Sequence, residues 1–389
     1  MKKGWITRAL GDVCDFEGGS QPPKSQFLYE ENRGYVRFLQ IRDFGSDKNI
    51  TYIPQAKKNR LCNESDILIG RYGASVGKIL TDKAGAYNVA LMKTLPNLAA
   101  LNRSWFYNYL LSDEFQLRLL NVADRSAQAG FSKDDIYNFP VPLPPLAEQQ
   151  RIVGLLDEAF EGIAIAKANA EKNLQNARAL FESHLQSVFS QRGKGWVEKS
   201  LEQIGKTQTG STPKTSDQSQ YGDFISFVKP GDFNTDGTLD YEKDGLSESG
   251  AKGARKVPAG SVLMVCIGAT IGKCGYCDQD VTTNQQINSL TPADGSSHRF
   301  LYYQMLTERF QRSLIHRSGQ ATLPIINKSK WSALTVWLPP TVAEQKHIAA
   351  KFDALVEETQ RLATLYTRKL AALEALKKSL LHRAFSGEL

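Results

Sequence analysis

Two stretches of the chain carry apolar residues at a helical spacing that no proline interrupts. In the first they fall at Ile152, Leu156, Ala159, Ile163, Ala166 and Ala170, in steps of four, three, four, three and four. In the second they fall at Ile348, Phe352, Leu355, Thr359, Leu362 and Tyr366 with the same steps, Thr359 being the polar member. Alternating steps of three and four make the seam of a coiled coil. Both stretches then take another step of four, to Leu174 and Leu370, before three more to Ala177 and Leu373. A stutter at the same place in both predicts that the two helices pack on each other in matched register. The pattern thus assigns residues 146–190 and 341–389 to two long helical spacers.

Each helix is preceded by nearly the same string, "LPPLAEQQRIVGLLD" from Leu143 and "LPPTVAEQKHIAAKFD" from Leu338. A double proline stops whatever comes before, and Ala-Glu-Gln opens the helix. In the second copy Thr341 and Glu344 have the spacing of a capping box, the hydroxyl taking an orphan amide and the carboxylate returning the bond. The first copy has Pro145 where that hydroxyl would be, which leaves Glu148 the favourable interaction with the helix dipole.

The remaining segments, 1–145 and 191–340, mix short apolar runs ("YVRFLQI", "DILIG", "FISFV", "SVLMVCIGAT") with Gly, Pro, Asn and Asp punctuation. Each carries one amphipathic stretch, "SWFYNYLLSDEFQLRLL" or "HRFLYYQMLTERFQRSLI". These are compact α+β domains. They are also copies: Trp5, Leu10, Gly19, Ser20 and Pro22 match Trp196, Leu201, Gly210, Ser211 and Pro213 at an offset of 191. Lys57, Arg60, Gly73, Gly77 and Lys78 match Lys252, Arg255, Gly268, Gly272 and Lys273 at an offset of 195, and Asn88 and Glu148 match Asn284 and Glu344. Small changes of offset are loop insertions in one fold used twice.

Connectivity then gives an architecture. A helix of 45 residues spans roughly 65 Å. Packed antiparallel within the chain, two such helices place one α+β domain at each end of a rod, a dumbbell with pseudo-two-fold symmetry. A parallel or intermolecular pairing is left open by the pattern alone.

Composition narrows the function. The 389 residues are 41% hydrophobic and 23% charged, an ordinary globular balance. The net charge of +7 divides evenly, +4 before Gly195 and +3 after it, so each half suits a polyanion. "MKKGWITRALGDVCDFEGG" lacks the apolar core of a signal peptide, and nowhere do about 18 apolar residues run together as a membrane span needs. The chain is expected in the cytoplasm, where its five cysteines stay reduced. Cys274 and Cys277 form one C-x-x-C with Cys266 nearby, but no second pair follows to complete a zinc site, and no metal is expected.

Self-contained catalysis is not expected either. "GRYGASVGKI" and "CIGATIGKC" look like phosphate-binding loops, yet Gly73 and Gly268 stand one residue too close to the Gly-Lys, and Ile79 or Cys274 occupies the position of the magnesium-binding hydroxyl. They read as tight turns between strands, either purely structural or presenting Lys78 and Lys273. "PLPPL" and "WLPPT" share only their prolines with the Asn/Asp-Pro-Pro-aromatic box of amino-methyltransferases. None of the five histidines makes a nucleophile–base pair.

Together, "GSQPPK" and "GSTPK", "GASVGK" and "GATIGK", the two proline-to-helix strings and the closing "AFSGEL" resemble the DNA-sequence specificity subunit of a type I restriction-modification system, and the likeness spans essentially the whole chain. The resemblance implies that each α+β domain is a target recognition domain reading half of a split, asymmetric site in double-stranded DNA, with the helices as spacer and ruler. It implies two methyltransferase subunits as partners, which flip an adenine in each half-site using S-adenosylmethionine, and restriction subunits that use ATP and Mg. None of these cofactors is expected on this chain.

For DNA contact, long polar side chains near the matched turns are the candidates: Lys24, Lys57, Arg60, Arg71, Tyr72 and Lys78 in the first domain, and Lys214, Lys252, Arg255, Lys273, Gln285 and Gln286 in the second. Arg and Lys suit guanine edges and phosphates, and Gln suits adenine. Asn88, Asn284, Gln128 and Gln320 recur, so they are expected to hold the fold or touch the DNA backbone. Glu148, Gln149, Glu344 and Gln345, at the amino ends of the helices, are candidates for partner contact or simple helix caps. Two other classes compete: a coiled-coil scaffold for proteins, which predicts no steep salt dependence toward DNA, and a lone nuclease, which lacks a clustered-carboxylate motif.

Overall fold

The computed structural model describes residues 4–124, 130–293, 295–319 and 323–389. The long helices run Leu146–Ser190 and Val342–Ser386, where the apolar spacing put them. Seam residues Ile152, Leu156, Ala170 and Ala177 of the first helix and Phe352 of the second are buried, at 0 to 5% exposure. The chain divides into two units, residues up to Ala170 with Arg368–Leu389, and Glu171–Thr367. Both division points fall inside the long helices, so those helices are the only covalent passage between the units.

Each unit repeats one topology. In the first, strands Ile6–Ala9 and Pro140–Leu143 pair antiparallel, tying the start of the domain to the double-proline string. A four-stranded antiparallel sheet runs in the order Cys14–Gly18, Leu91–Pro96, Leu68–Gly70, Ile79–Leu80. A second sheet runs Tyr52–Pro54, Tyr35–Leu39, Gly85–Tyr87, Leu61–Cys62, its middle pair parallel. The second unit has the same orders: Gly205–Thr209, Ile287–Pro292, Ser261–Val265, Cys274–Cys277, and Gly245–Leu246, Tyr221–Val228, Val281–Thr283, Lys256–Val257. Even register is kept, since Cys14 faces Pro96 as Gly205 faces Pro292.

The single amphipathic stretch expected in each domain is two helices, Arg103–Leu111 with Asp113–Ala123 and His298–Leu306 with Glu308–Arg317. A hydroxyl makes the break. Ser112 Oγ donates to the Tyr109 carbonyl at 2.6 Å, and Thr307 Oγ1 donates to the Gln304 carbonyl at 2.7 Å. Both residues sit in extended backbone and end one helix as they open the next.

The units close their cores with helix segments distant in sequence. In the first, Ile152, Val153 and Leu156 enter the same core as Leu381, Ala384 and Phe385. The Phe385 ring lies 4.4 Å from Trp105 and 5.7 Å from Tyr109, centroid to centroid. The two segments run antiparallel there: Arg151 Nη2 donates to the Leu389 carbonyl at 2.9 Å, the Lys377 ammonium lies over Phe160, and Lys167 meets Glu374 at 2.5 Å. In the second unit Phe189 stacks on Phe352 at 5.7 Å and meets Phe300 edge-on. Asp353 also takes bonds from Arg299 Nη2 and Tyr303 Oη, both at 2.6 Å, pinning the second helix to its domain.

Replacing Phe385 with alanine would leave a cavity against Trp105 and should cost about 3–5 kcal/mol in urea unfolding. Leu365→Ala, at a side chain 51% exposed, should change stability by about 0.5 kcal/mol or less.

Candidate nucleic-acid interface

The matched Gly-Ser pair anchors the loop that carries the first candidate lysine of each domain. Gly19 and Ser20 donate their amides to the carbonyls of Leu91 and Tyr87 at 3.1 and 3.0 Å. Gly210 and Ser211 do the same to Ile287 and Thr283 at 3.0 and 2.9 Å. A Cβ at Gly19 would sit 2.0 Å from the Asn88 carbonyl oxygen, and one at Gly210 would sit 2.2 Å from that of Asn284. Only glycine permits this approach. Ser20 and Ser211 are thereby held beside the Asn88 and Asn284 turns, and the loops that follow carry exposed Lys24 and Lys214.

Of the two roles their recurrence left open, the structure shows the asparagines holding their own turns. Asn88 Oδ1 accepts from the Ala90 amide at 3.2 Å, and Asn284 Oδ1 accepts from the Gln286 amide at 3.1 Å. Asn284 Nδ2 also donates to Gln286 Oε1 at 2.9 Å, so Gln286 is half-buried, whereas Gln285 is exposed and its carbonyl takes the Thr212 hydroxyl. Gln128 and Gln320 lie outside the described residues.

Arg60 and Arg255 flank the outer strand of the antiparallel sheet in each domain. Arg60 Nη1 pairs with Glu17 at 2.7 Å, and Arg255 Nη1 donates to the Thr209 carbonyl at 2.9 Å. Arg71 lies over the Tyr72 ring at 5.0 Å and donates to the Phe131 carbonyl, its guanidinium close to Gly18. Arg60, Arg71 and Tyr72 therefore gather at the end of strand Cys14–Gly18, from which the Lys24 loop departs. Lys57 and Lys252 are exposed, Lys252 pairing with Glu248 at 3.2 Å.

Lys78 and Lys273 belong to a different corner. Their turn joins two antiparallel strands, with Gly77 and Gly272 at φ +80° and +91°. A glutamine that the sequence reading missed locks it. Gln116 Nε2 donates to the Gly77 and Leu110 carbonyls at 2.9 and 2.6 Å, and Gln311 Nε2 to those of Gly272 and Met305 at 3.0 and 2.7 Å. The signal was present, since "EFQ" and "RFQ" recur at the 195-residue offset. Lys78 is exposed, but Lys273 is not presented as expected: its ammonium turns back to the Pro230 carbonyl at 3.3 Å and lies over Phe233.

Two of the four candidate partner contacts are corrected outright. Gln149 is fully buried, accepting from the Asn102 amide at 2.7 Å and donating to the Ala100 and Pro144 carbonyls at 2.9 Å. Gln345, 3% exposed, accepts from the Ser297 amide at 2.9 Å. Each amide satisfies loop backbone that burial would otherwise orphan. Glu148 forms a fork with Arg151 at 2.7 and 2.9 Å. At the second helix the Glu344 amide does bond Thr341 Oγ1 at 3.2 Å, but its carboxylate accepts from the Trp196 indole, also at 3.2 Å.

The cysteines are core residues. Cys274 and Cys277 share one strand but enter different cores, so they point away from each other and cannot grip one ion. Burial pushes the Cys277 and Cys62 thiols up to about 11, and those of Cys14 and Cys266 up to about 12. Tyr87 is raised as well, by burial first and then by its bond to Glu17. Among the described residues no helix is long and apolar enough to cross a membrane.

A family model described as "Type I restriction modification DNA specificity domain" matches residues 2–176 and 193–369. The type I restriction enzyme HindI specificity subunit of Haemophilus influenzae is 27% identical over 313 residues, 78% of this chain and 63% of that protein. The chain thus spans less than two thirds of that relative's length. The MjaVIII specificity subunit of Methanocaldococcus jannaschii is 21% identical over 100% of this chain and 94% of its own. Among solved structures, a chain from "Structural basis underlying complex assembly and conformational transition of the type I R-M system" aligns over 100% of this chain and 99% of its own, with TM-score 0.79 and 19% identity. The HsdS subunit of Thermoanaerobacter tengcongensis aligns over 100% and 98%, with TM-score 0.63 and 19% identity. At these identities the structures establish the fold.

Because Gln149 and Gln345 satisfy buried amides, Gln149→Ala and Gln345→Ala should each lower stability by about 1–3 kcal/mol. Chemical unfolding of the isolated chain checks this without any partner present.

Proposed function

Since the chain belongs, through both of its repeats, to the type I restriction modification DNA specificity domain family, we propose that it selects the DNA sequence for such a system and is not itself catalytic. Each α+β domain reads one half of a bipartite, asymmetric site. The observation that carries this reading is a fold kept twice with part of its exposed surface changed. Frame residues recur as Gly19 and Gly210, Asn88 and Asn284, Gln116 and Gln311, whereas exposed Asp15, Tyr72 and Val89 are answered by Lys206, Ile267 and Gln285. A shared scaffold with different polar tips suits two different half-sites.

Two modification subunits, carrying S-adenosylmethionine, would methylate one adenine per half-site, and restriction subunits would bring ATP and Mg, all in the cytoplasm. Mapping methylated adenines in cells that express the chain with its modification subunits tests this. A motif in two parts separated by a fixed gap is expected, and the absence of any motif from an active assembly would reject the reading.

The helices act as the ruler. Removing one seven-residue repeat from each, where the chain passes between units, takes away about 10 Å while keeping the seam in phase. The gap should shorten by about 3 base pairs, at 3.4 Å per base pair, with both half-sites unchanged. Methylation mapping that returned the original gap would refute the ruler.

A further inference from the structure

Identical strand pairing lets the two domains be compared position by position. Strand Cys14–Gly18 turns Asp15 and Glu17 outward, and strand Gly205–Thr209 carries Lys206 and Gln208 at the same register positions, opposite Leu95 and Lys93 in one domain and Thr291 and Ser289 in the other. Beside them, Lys57, Arg60 and Leu61 answer to Lys252, Arg255 and Lys256. The first domain therefore sets Asp15 and Glu17 among the bases of this patch, whereas the second has Lys206 and Gln208 in their places and lines its groove with Lys206, Lys252, Arg255 and Lys256 against Glu248.

The contacts sharpen the contrast. In the first domain Glu17 is gripped by Arg60 at 2.7 Å, by the Tyr87 hydroxyl at 2.8 Å and by Lys93 at 3.7 Å, while Asp15 is held by the Tyr137 hydroxyl and by Lys133 at 3.9 Å. The Arg60 charge is thus neutralised in place. In the second domain Gln208 Nε2 donates to the Lys256 carbonyl at 2.6 Å, and the Arg255 guanidinium donates to the backbone oxygen of Thr209 at 2.9 Å. Lys206 and Lys256 are exposed and make no ion pair among the described residues. These side chains line an open groove of about 660 Å³ with Phe224, 58% exposed, as its apolar wall and Glu248, paired to Lys252, as the acid on its rim.

We propose that the groove of Lys206, Lys252, Arg255 and Lys256 is a phosphate-binding track for the DNA backbone that the second domain has and the first lacks. The two readers then hold DNA unequally: the second supplies the larger sequence-independent attraction, and the first depends more on base contacts. The inference rests on the reading of the chain as a DNA-binding subunit. A basic groove fits a polyanion because each neutralised phosphate releases counterions.

The test is a salt titration of binding to a mixed-sequence duplex, using the full chain assembled with its modification subunits. Losing two phosphate contacts in the K206Q/K256Q variant should flatten the slope of log affinity against log salt by about 1.8. The same charge removed from the long helices, in K172Q/K369Q, should leave the slope unchanged. D15K, which gives the first domain the residue of the second, should steepen the slope by about 0.9, a gain that misfolding cannot imitate. An unchanged slope in K206Q/K256Q, or an equal loss in the helix control, overturns the track. A wild-type assembly whose binding ignores salt would instead overturn the DNA-binding reading itself.

Discussion

Everything in this chain depends on each unit closing its core with parts of both long helices. Phe385 packs into Trp105 and Tyr109 beside Ile152 and Leu156, and Phe189 packs on Phe300 and Phe352. Aromatic side chains of this size dominate core energetics. Each unit thus grips one end of each long helix in its own core. That is the mechanical property a spacer between two DNA readers needs.

The domains show how duplication separates support from recognition. Support lies where geometry leaves no choice: Gly19 and Gly210 under a carbonyl, Gln116 and Gln311 across a turn, Gln149 and Gln345 beneath a loop. Recognition is left to side chains that the backbone merely holds outward. Asp15 can become Lys206 and Glu17 become Gln208 without disturbing a strand pairing that relies on main-chain bonds.

This division also explains what could be read from the residues alone. The helices, the repeat and the strand-rich domains were legible because period and spacing are local. The glycine turns differ from a phosphate loop in the residues themselves, because Ile79 and Cys274 stand where that chemistry demands a hydroxyl. Individual roles were harder. Gln149 and Gln345 look like surface residues in a first helical turn, and their burial comes from loops 47 and 48 residues earlier. Lys78 and Lys273 occupy equivalent positions, but only the second has a Pro230 carbonyl in reach. The partnership of Phe385 with Trp105 crosses 280 residues of chain, beyond any periodic signal.

The proposed function turns on one domain reading one half-site. Exchanging residues 196–340 for the equivalent domain of a relative with another specificity, then sequencing the methylated DNA, tests it most directly. One half of the motif should be replaced while the other half and the gap persist. A change in both halves, or in neither, would contradict it.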